Sequence, residues 1–353
     1  MNLFDIVSRS CNMNKIKEGI NDGLPLLVSY ASSGEKSLVV SNTKQKSIFV
    51  CSDFVTMSEV KQNLLAQNLS VGTVTMGVVS PIYSRGQDVS AMQNFISTMF
   101  DFYLGKIDVL IVLSEALAQR LPDKSFLEKY LIFETQKQYN FSALAQSFIS
   151  LGYKRCDYVS AKGEFAIRGD IVDIFSINYD QPIRLDFFGD ELENISFFDI
   201  SDMKNIGNVN EINIYPTSFY VLENIDKKQI QENIKNSLKN SKINADELLK
   251  INNIVYEICE KIENNCLDIN NAFIAPFLYF KDNLLSLFSE NLVFYDEPKK
   301  IYDDVFSFLK NNNDSIINLI QKGELLTPHL DFFCDINNIF NAKKYCIFVY
   351  KFA

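Results

Sequence analysis

Gly163-Glu-Phe-Ala-Ile-Arg-Gly-Asp-Ile-Val-Asp-Ile-Phe175, followed by Gln181-Pro-Ile-Arg-Leu-Asp-Phe-Phe-Gly-Asp-Glu191, reads as paired β-strands joined by tight turns. Side chains alternate between the two faces of a strand. In 181–188 that places Ile183, Leu185 and Phe187 on one face and Arg184, Asp186 and Phe188 on the other. In 164–168 it places Phe165 and Ile167 on one face and Glu164, Ala166 and Arg168 on the other. Gly169 breaks the period, as at a turn or bulge. Arg168, Arg184 and Phe188 are therefore candidates for the solvent face of one small sheet. Arginine beside an exposed aromatic is the chemistry of a protein-docking patch. The competing reading pairs Arg184 with Asp173 or Asp186 and tucks Phe188 under the Gly189-Asp190 turn.

Outside this stretch the pattern changes. Upstream, Pro25-Leu-Leu-Val-Ser-Tyr30, Ser47-Ile-Phe-Val-Cys51, 71–79 and Ile107-Asp-Val-Leu-Ile-Val-Leu113 read as strands, and 1–20, 53–65 and 91–103 as helices. Fully apolar strands alternating with helices predict a parallel α/β sheet. Residues 126–220 read as a small α+β insertion with a helix over 141–151. Beyond it, 225–265 predicts two amphipathic helices, and Leu292-Val-Phe-Tyr295 resumes the α/β pattern. The resulting division is 1–118 and 206–345 as two segments of one α/β domain and 119–205 as the insertion. The apolar run Cys346-Ile-Phe-Val-Tyr350 is expected to open a following element within 346–353.

The 353 residues carry a net charge of −10, with Lys interleaved among Asp, Glu and Asn. A broad nucleic-acid face needs a basic stripe, and none is visible. Only six arginines stand against 28 lysines, which makes Arg168 and Arg184 notable, because a planar guanidinium fork is not replaceable by an ammonium. Seven scattered cysteines without a Cys-x-x-Cys pair read as reduced thiols, and the single His329 as structural. No apolar run reaches the ~18 residues of a membrane span and no secretory signal is visible, so a cytoplasmic location is expected.

A phosphate loop is suggested and then spoiled. After the first strand, Ala31-Ser-Ser-Gly-Glu-Lys-Ser37 offers Gly34, Lys36 and Ser37, but the motif's first glycine is missing and Glu35 separates Gly34 from Lys36. Val293-Phe-Tyr-Asp-Glu-Pro298 ends a strand in Asp296-Glu297, where a working ATPase places magnesium-holding acids; as a bare motif it also reads as a helix cap. The two sites together read as a nucleotide-binding fold without its chemistry. No Ser/His/Asp or Cys/His set is present.

The hairpin run with Pro182 to Glu193 and Phe198-Asp199 resembles the segment shared by the excision-repair helicase UvrB and the transcription-repair coupling factor, Mfd. Leu110-Ile-Val-Leu-Ser-Glu-Ala-Leu-Ala-Gln-Arg120, Ser125-Phe-Leu127, Leu151-Gly-Tyr-Lys-Arg155 and Glu211-Ile-Asn-Ile-Tyr-Pro216 resemble the coupling factor specifically. Two departures separate the chain from UvrB: the P-loop is broken, and 70–90 lacks a tyrosine-rich DNA-clamping hairpin. The resemblance implies the family's amino-terminal UvrB-like module, a degenerate RecA-like parallel-sheet domain in two segments with an inserted α+β domain that binds UvrA. By motif, the family's UvrA-contacting residues fall on Arg168, Arg184 and Phe188. It implies no catalytic residue, no cofactor and no metal in this segment. ATP, magnesium, RNA polymerase and DNA belong to domains further along the family's chain, and the family's carboxy-terminal domain covers the docking face. The alternatives are a UvrB-like ATP-dependent damage-recognition enzyme with an atypical phosphate loop, and a DNA-binding module.

Overall fold

The computed structural model describes residues 11–22, 26–29, 31–75, 89–220, 226–241, 244–264, 267, 272–278, 280–340 and 345–349. The first part alternates helices and strands: α1 (Cys11–Asn21), β1 (Leu26–Ser29), α2 (Ser33–Asn42), β2 (Ser47–Cys51), α3 (Phe54–Leu65), β3 (Val71–Val74), α4 (Val89–Tyr103) and β4 (Val109–Leu113). Asp53 starts α3 by accepting from the Thr56 N–H at 2.8 Å, the usual task of an aspartate before a helix. Short strands follow: β5 (Leu131–Glu134), then α5 (Leu144–Ser150), β6 (Lys154–Arg155), β7 (Glu164–Arg168), β8 (Ile171–Phe175), β9 (Ile183–Phe188), β10 (Glu191–Phe198), β11 (Asn205–Val209) and β12 (Glu211–Ile214). The last part holds α6 (Lys227–Lys239), α7 (Ala245–Glu263), α8 (Leu284–Leu287), β13 (Leu292–Asp296), α9 (Pro298–Gln321), α10 (Ile336–Ile339) and β14 (Tyr345–Val349).

Two chain segments build one sheet. Its order is β1-β14-β13-β2-β4-β3, and every pairing is parallel. Both faces are covered, which is why β2, β4 and β13 are apolar at nearly every position. Ile48, Val50, Leu110, Val112, Val293 and Tyr295 face one core with α4 and α9. Phe49, Cys51, Ile111, Leu113, Leu292 and Phe294 face the other, with α1, α2 and α3. The closing apolar run forms β14, between β1 and β13, rather than opening a new element. An all-apolar strand needs cover on both faces and a partner on each edge, and this position supplies both.

A second sheet, β11-β10-β9-β8-β7-β6, is antiparallel except for β6 with β7. Its inner face packs Phe165, Val172, Ile174, Leu185 and Ile195 against Phe148 of α5 and against the β5–β12 ladder. This lobe's core extends from Phe133 to Ile214, so the 205/206 division falls inside its strands. Leu121, Phe126 and Leu127 belong to the scaffold core instead. The lobe is tied down at Tyr215, which stacks on Phe100 at 4.8 Å and donates to Asp101 at 2.7 Å. Of the 71–79 strand, 71–74 form β3; residues 76–88, most of the segment in which UvrB has its clamping hairpin, lie outside the described residues.

Candidate functional site

The outer face of the lobe sheet carries the three residues singled out from the sequence. Burial along β9 alternates as the spacing predicts, with Ile183, Leu185 and Phe187 inside. Phe187 packs edge-on to Phe141 at 5.1 Å and to Tyr139 at 6.3 Å. Phe188 is thereby turned outward and stands 75% exposed. Gly189 takes a left-handed φ of 60° beyond it, a conformation that suits glycine and closes the β9–β10 turn. Asp190 fixes that turn, accepting from Tyr139 N–H at 2.8 Å through its carbonyl and from Phe141 N–H at 3.1 Å through its carboxylate. The exposed ring is therefore mounted on a rigid support.

The arginines do not stand free. Asp173 on β8 lies opposite Arg184 in register and is only 1% exposed. Arg184 grips it with two donors, Nε to Oδ1 at 2.7 Å and Nη2 to Oδ2 at 2.9 Å. Arg168 donates to the same Oδ2 and, through Nη1, to the Asp157 carbonyl at 3.1 Å. Two cations share the Asp173 carboxylate, with Asp186 adding its charge near Arg184, so what the cluster keeps is unspent guanidinium donors. The bond to Asp173 drives the Arg184 pKa further up. Arg184 lies over the Phe198 ring at 4.9 Å, and Arg168 over Tyr158 at 4.8 Å. The guanidiniums are pinned from beneath by Asp173 and by flanking rings, with their outer sides half-open to solvent. This is the Arg184–Asp173 pairing that the competing reading foresaw, whereas Phe188 does not tuck under its turn.

Tyr158 completes the face, 69% exposed beside Arg168. The sequence gives no periodic signal for it, because it sits in the irregular segment between β6 and β7.

The loop before α2 is closed by its own residues. Ser32 and Glu35 form a reciprocal cap: Glu35 N–H donates to Ser32 Oγ at 3.4 Å, and Ser32 N–H donates to Glu35 Oε2 at 2.7 Å. These Ser32 bonds hold the Glu35 carboxyl below its usual range. A carboxylate thus sits at the helix N-terminus, the position that attracts phosphate in nucleotide sites. Lys36 Nζ lies 2.6 Å from Asp296 Oδ1, with both side chains buried. Ser37 is buried and donates to the Ser33 carbonyl at 2.7 Å. Burial lifts the Asp296 carboxyl above the ordinary range, and Lys36 pulls it back only in part. Glu297 holds the N-cap position of α9 with a left-handed backbone, but its side chain makes no cap hydrogen bond, and Asp296 serves Lys36; the helix-cap reading of this pair does not hold. A Cβ at Gly34 would meet only Ser32 Oγ, at 4.0 Å.

His329 is fully buried; Leu326 N–H donates to its Nδ1 at 3.1 Å, and Nε2 lies 3.0 Å from the Phe273 carbonyl. Burial pushes its pKa down to about 4. The described cysteines 51, 156, 259 and 334 are free thiols, and among the described residues no cluster of metal-binding side chains occurs. Among them, too, no helix is long and apolar enough to cross a membrane.

Residues 131–220 match the UvrB interaction domain family. That match encloses the whole antiparallel sheet with Arg168, Arg184 and Phe188. Over 92% of its length the chain is 25% identical to the transcription-repair-coupling factor of Bacillus subtilis, covering 29% of that protein. The chain resembles the amino-terminal, UvrB-like module of the transcription-repair-coupling factors. It is also 33% identical over 135 residues to the coupling factor of Escherichia coli, 38% of this chain and 12% of that one. The UvrABC system protein B of Campylobacter hominis is 34% identical over 109 residues, 31% of this chain and 17% of that protein. The chain thus spans less than a third of the length of these curated relatives.

Proposed function

We propose that this chain is a UvrA-docking module that recruits excision repair to stalled transcription complexes, with the UvrB interaction domain as its contact surface. The observation that carries this reading is Phe188, 75% exposed on an anchored turn and on the same outer sheet face as two arginines that share one buried carboxylate. A rigid aromatic next to guanidiniums has the composition of a binding hot spot. Rigidity also lowers the entropy lost on docking. The parallel-sheet part is read as a degenerate RecA-like domain in two segments, one ending before the lobe core that begins at Phe133 and one resuming after Ile214 and running through β14. RNA polymerase and DNA are assigned to other parts of such a protein, and the location is cytoplasmic.

The module is read as non-enzymatic and free of cofactor. The support is the Glu35 cap and the Lys36–Asp296 pair, which occupy the places of phosphate and magnesium. The rival, an ATP-dependent UvrB-like enzyme, requires both to be displaced by nucleotide. Co-elution with purified UvrA tests docking: Arg168→Ala or Arg184→Ala should weaken it by about 2 kcal/mol or more with the fold retained, and unaltered affinity in both variants contradicts the proposal. Saturable ATP hydrolysis abolished by Lys36→Ala would promote the rival.

A further inference from the structure

Arg120 marks a second surface, on the scaffold and independent of the UvrA reading. After β4 the chain turns through the 3-10 segment Ser114–Ala118 and passes beneath two other segments. There Leu121 N–H donates to the Asp282 carbonyl at 2.7 Å and Cys334 N–H to the Ala118 carbonyl at 2.8 Å. Arg120 is held between the same segments, with Nε donating to Phe333 O at 2.9 Å and Nη1 to Phe280 O at 3.4 Å. Two adjoining clefts of about 320 Å³ and 370 Å³ open beside it, both bordered by Arg120 and Asp331.

Three features of these clefts are unsatisfied. First, Arg120 makes no ion pair with any described residue, although it is half-buried. Second, Gln119 is 2% exposed, and its Oε1 has no hydrogen-bond partner among the described residues. Buried polar atoms are seldom left so, because such an acceptor has given up water and gained nothing in return. Third, apolar side chains lie open at both ends. Pro276 and Phe280 line one cleft; Phe306 and Leu330, 50% and 42% exposed, line the other. Lys281 and Lys310 stand at opposite ends.

We propose that this groove binds a segment of a partner protein bearing a carboxylate between two apolar side chains. The carboxylate meets the open edge of Arg120, and Lys281 and Lys310 extend the attraction toward either end. One apolar side chain rests on Pro276 and Phe280, and the other fits between Phe306 and Leu330. A main-chain N–H of the segment donates to Asp331. Among the charged side chains lining the clefts, Arg120, Lys281 and Lys310 stand against Asp331 and Asp335, so the groove holds a positive excess within a chain of net charge −10, and an acidic segment is favoured here over the rest of the surface.

The test is fluorescence anisotropy with a labelled Gly-Leu-Asp-Phe-Gly peptide, blocked at both ends, added to the intact chain. Saturable binding is expected, at least tenfold weaker for the Asn-for-Asp peptide. Arg120→Met should abolish it. Because Arg120 also braces two carbonyls, Phe306→Ala and Lys310→Glu provide independent readings, each expected to weaken binding at least threefold with an unshifted melting temperature. No saturable binding, equal binding of the Asn peptide, or full affinity in both surface variants would overturn the proposal. So would displacement of the peptide by inorganic phosphate at matching concentration, which would mean a simple anion site.

Discussion

The scaffold and the lobe each place a buried aspartate against basic side chains, and they do opposite things with it. In the scaffold, Lys36 and Asp296 close on each other with both side chains buried. One charge meets one charge, and little is left to offer a ligand. In the lobe, Asp173 is as deeply buried, but Arg168 and Arg184 are half-open and outnumber it. The guanidinium edges left over face solvent, Arg168 against Tyr158, on the sheet face that also carries Phe188. The same ingredients give a strut in one place and a presentation surface in the other. What separates them is stoichiometry and the number of donors per cation: an ammonium can be consumed by one carboxylate, whereas a guanidinium fork retains donors after pairing.

The largest effect should come from breaking the strut. Lys36→Met leaves Asp296 buried without its partner and should cost about 3–5 kcal/mol at neutral pH, measured by urea denaturation. Lys36→Met with Asp296→Leu should recover most of that loss, because no lone charge remains. The Asp296 pKa is already raised in the fold, so the protonated carboxyl is the better tolerated form. Its contribution is present at low pH and lost as pH rises through the folded pKa, so the deficit of Lys36→Met should shrink on acidification. A deficit that does not change with pH would break the comparison.

Next in size is the scaffold's response to acid through His329. Its pKa falls from 6.5 to about 4 on folding. A lowered pKa means that the neutral ring is the folded form, so its stability is complete above the unfolded value and drains away as pH drops toward 4. Roughly 3 kcal/mol should be lost across that window, read as proton uptake on unfolding, and His329→Gln should flatten the slope.

Smaller effects belong to the lobe. Arg184→Lys keeps the charge but loses the two-donor grip on Asp173; it should lower stability by about 1 kcal/mol and weaken UvrA binding by a similar amount. Tyr158→Ala removes only a ring beneath Arg168, and a loss of about 0.5–1 kcal/mol in binding is expected with unchanged melting. If Tyr158→Ala proves costlier than Arg184→Lys, the surface is organised around the tyrosine and not the guanidinium cluster.

Much of this was legible beforehand, for identifiable reasons. All-apolar runs such as Val109–Leu113 announced buried parallel strands, and strict alternation in Ile183–Phe188 assigned the faces of β9. Phe188 could be placed outward by counting alone. Pairing could not be counted: whether Arg184 turns to Asp173 across the sheet or to Asp186 on its own strand depends on the β8–β9 register, which the irregular connection 176–182 does not announce. The Lys36–Asp296 pair joins residues far apart in sequence, and only the meeting of the α2 N-terminus with the end of β13 brings them together. Tyr158 and Arg120 lie in irregular chain, where periodicity says nothing.

The central claim is that Phe188 is a contact made for another molecule and not for this one. Isothermal titration of UvrA into the wild-type chain and into Phe188→Ala tests it most directly. The account predicts saturable binding to the wild type, a loss of about 30-fold or about 2 kcal/mol in the variant, and identical melting of the two chains. Equal affinities, or a variant that melts many degrees lower, would contradict it.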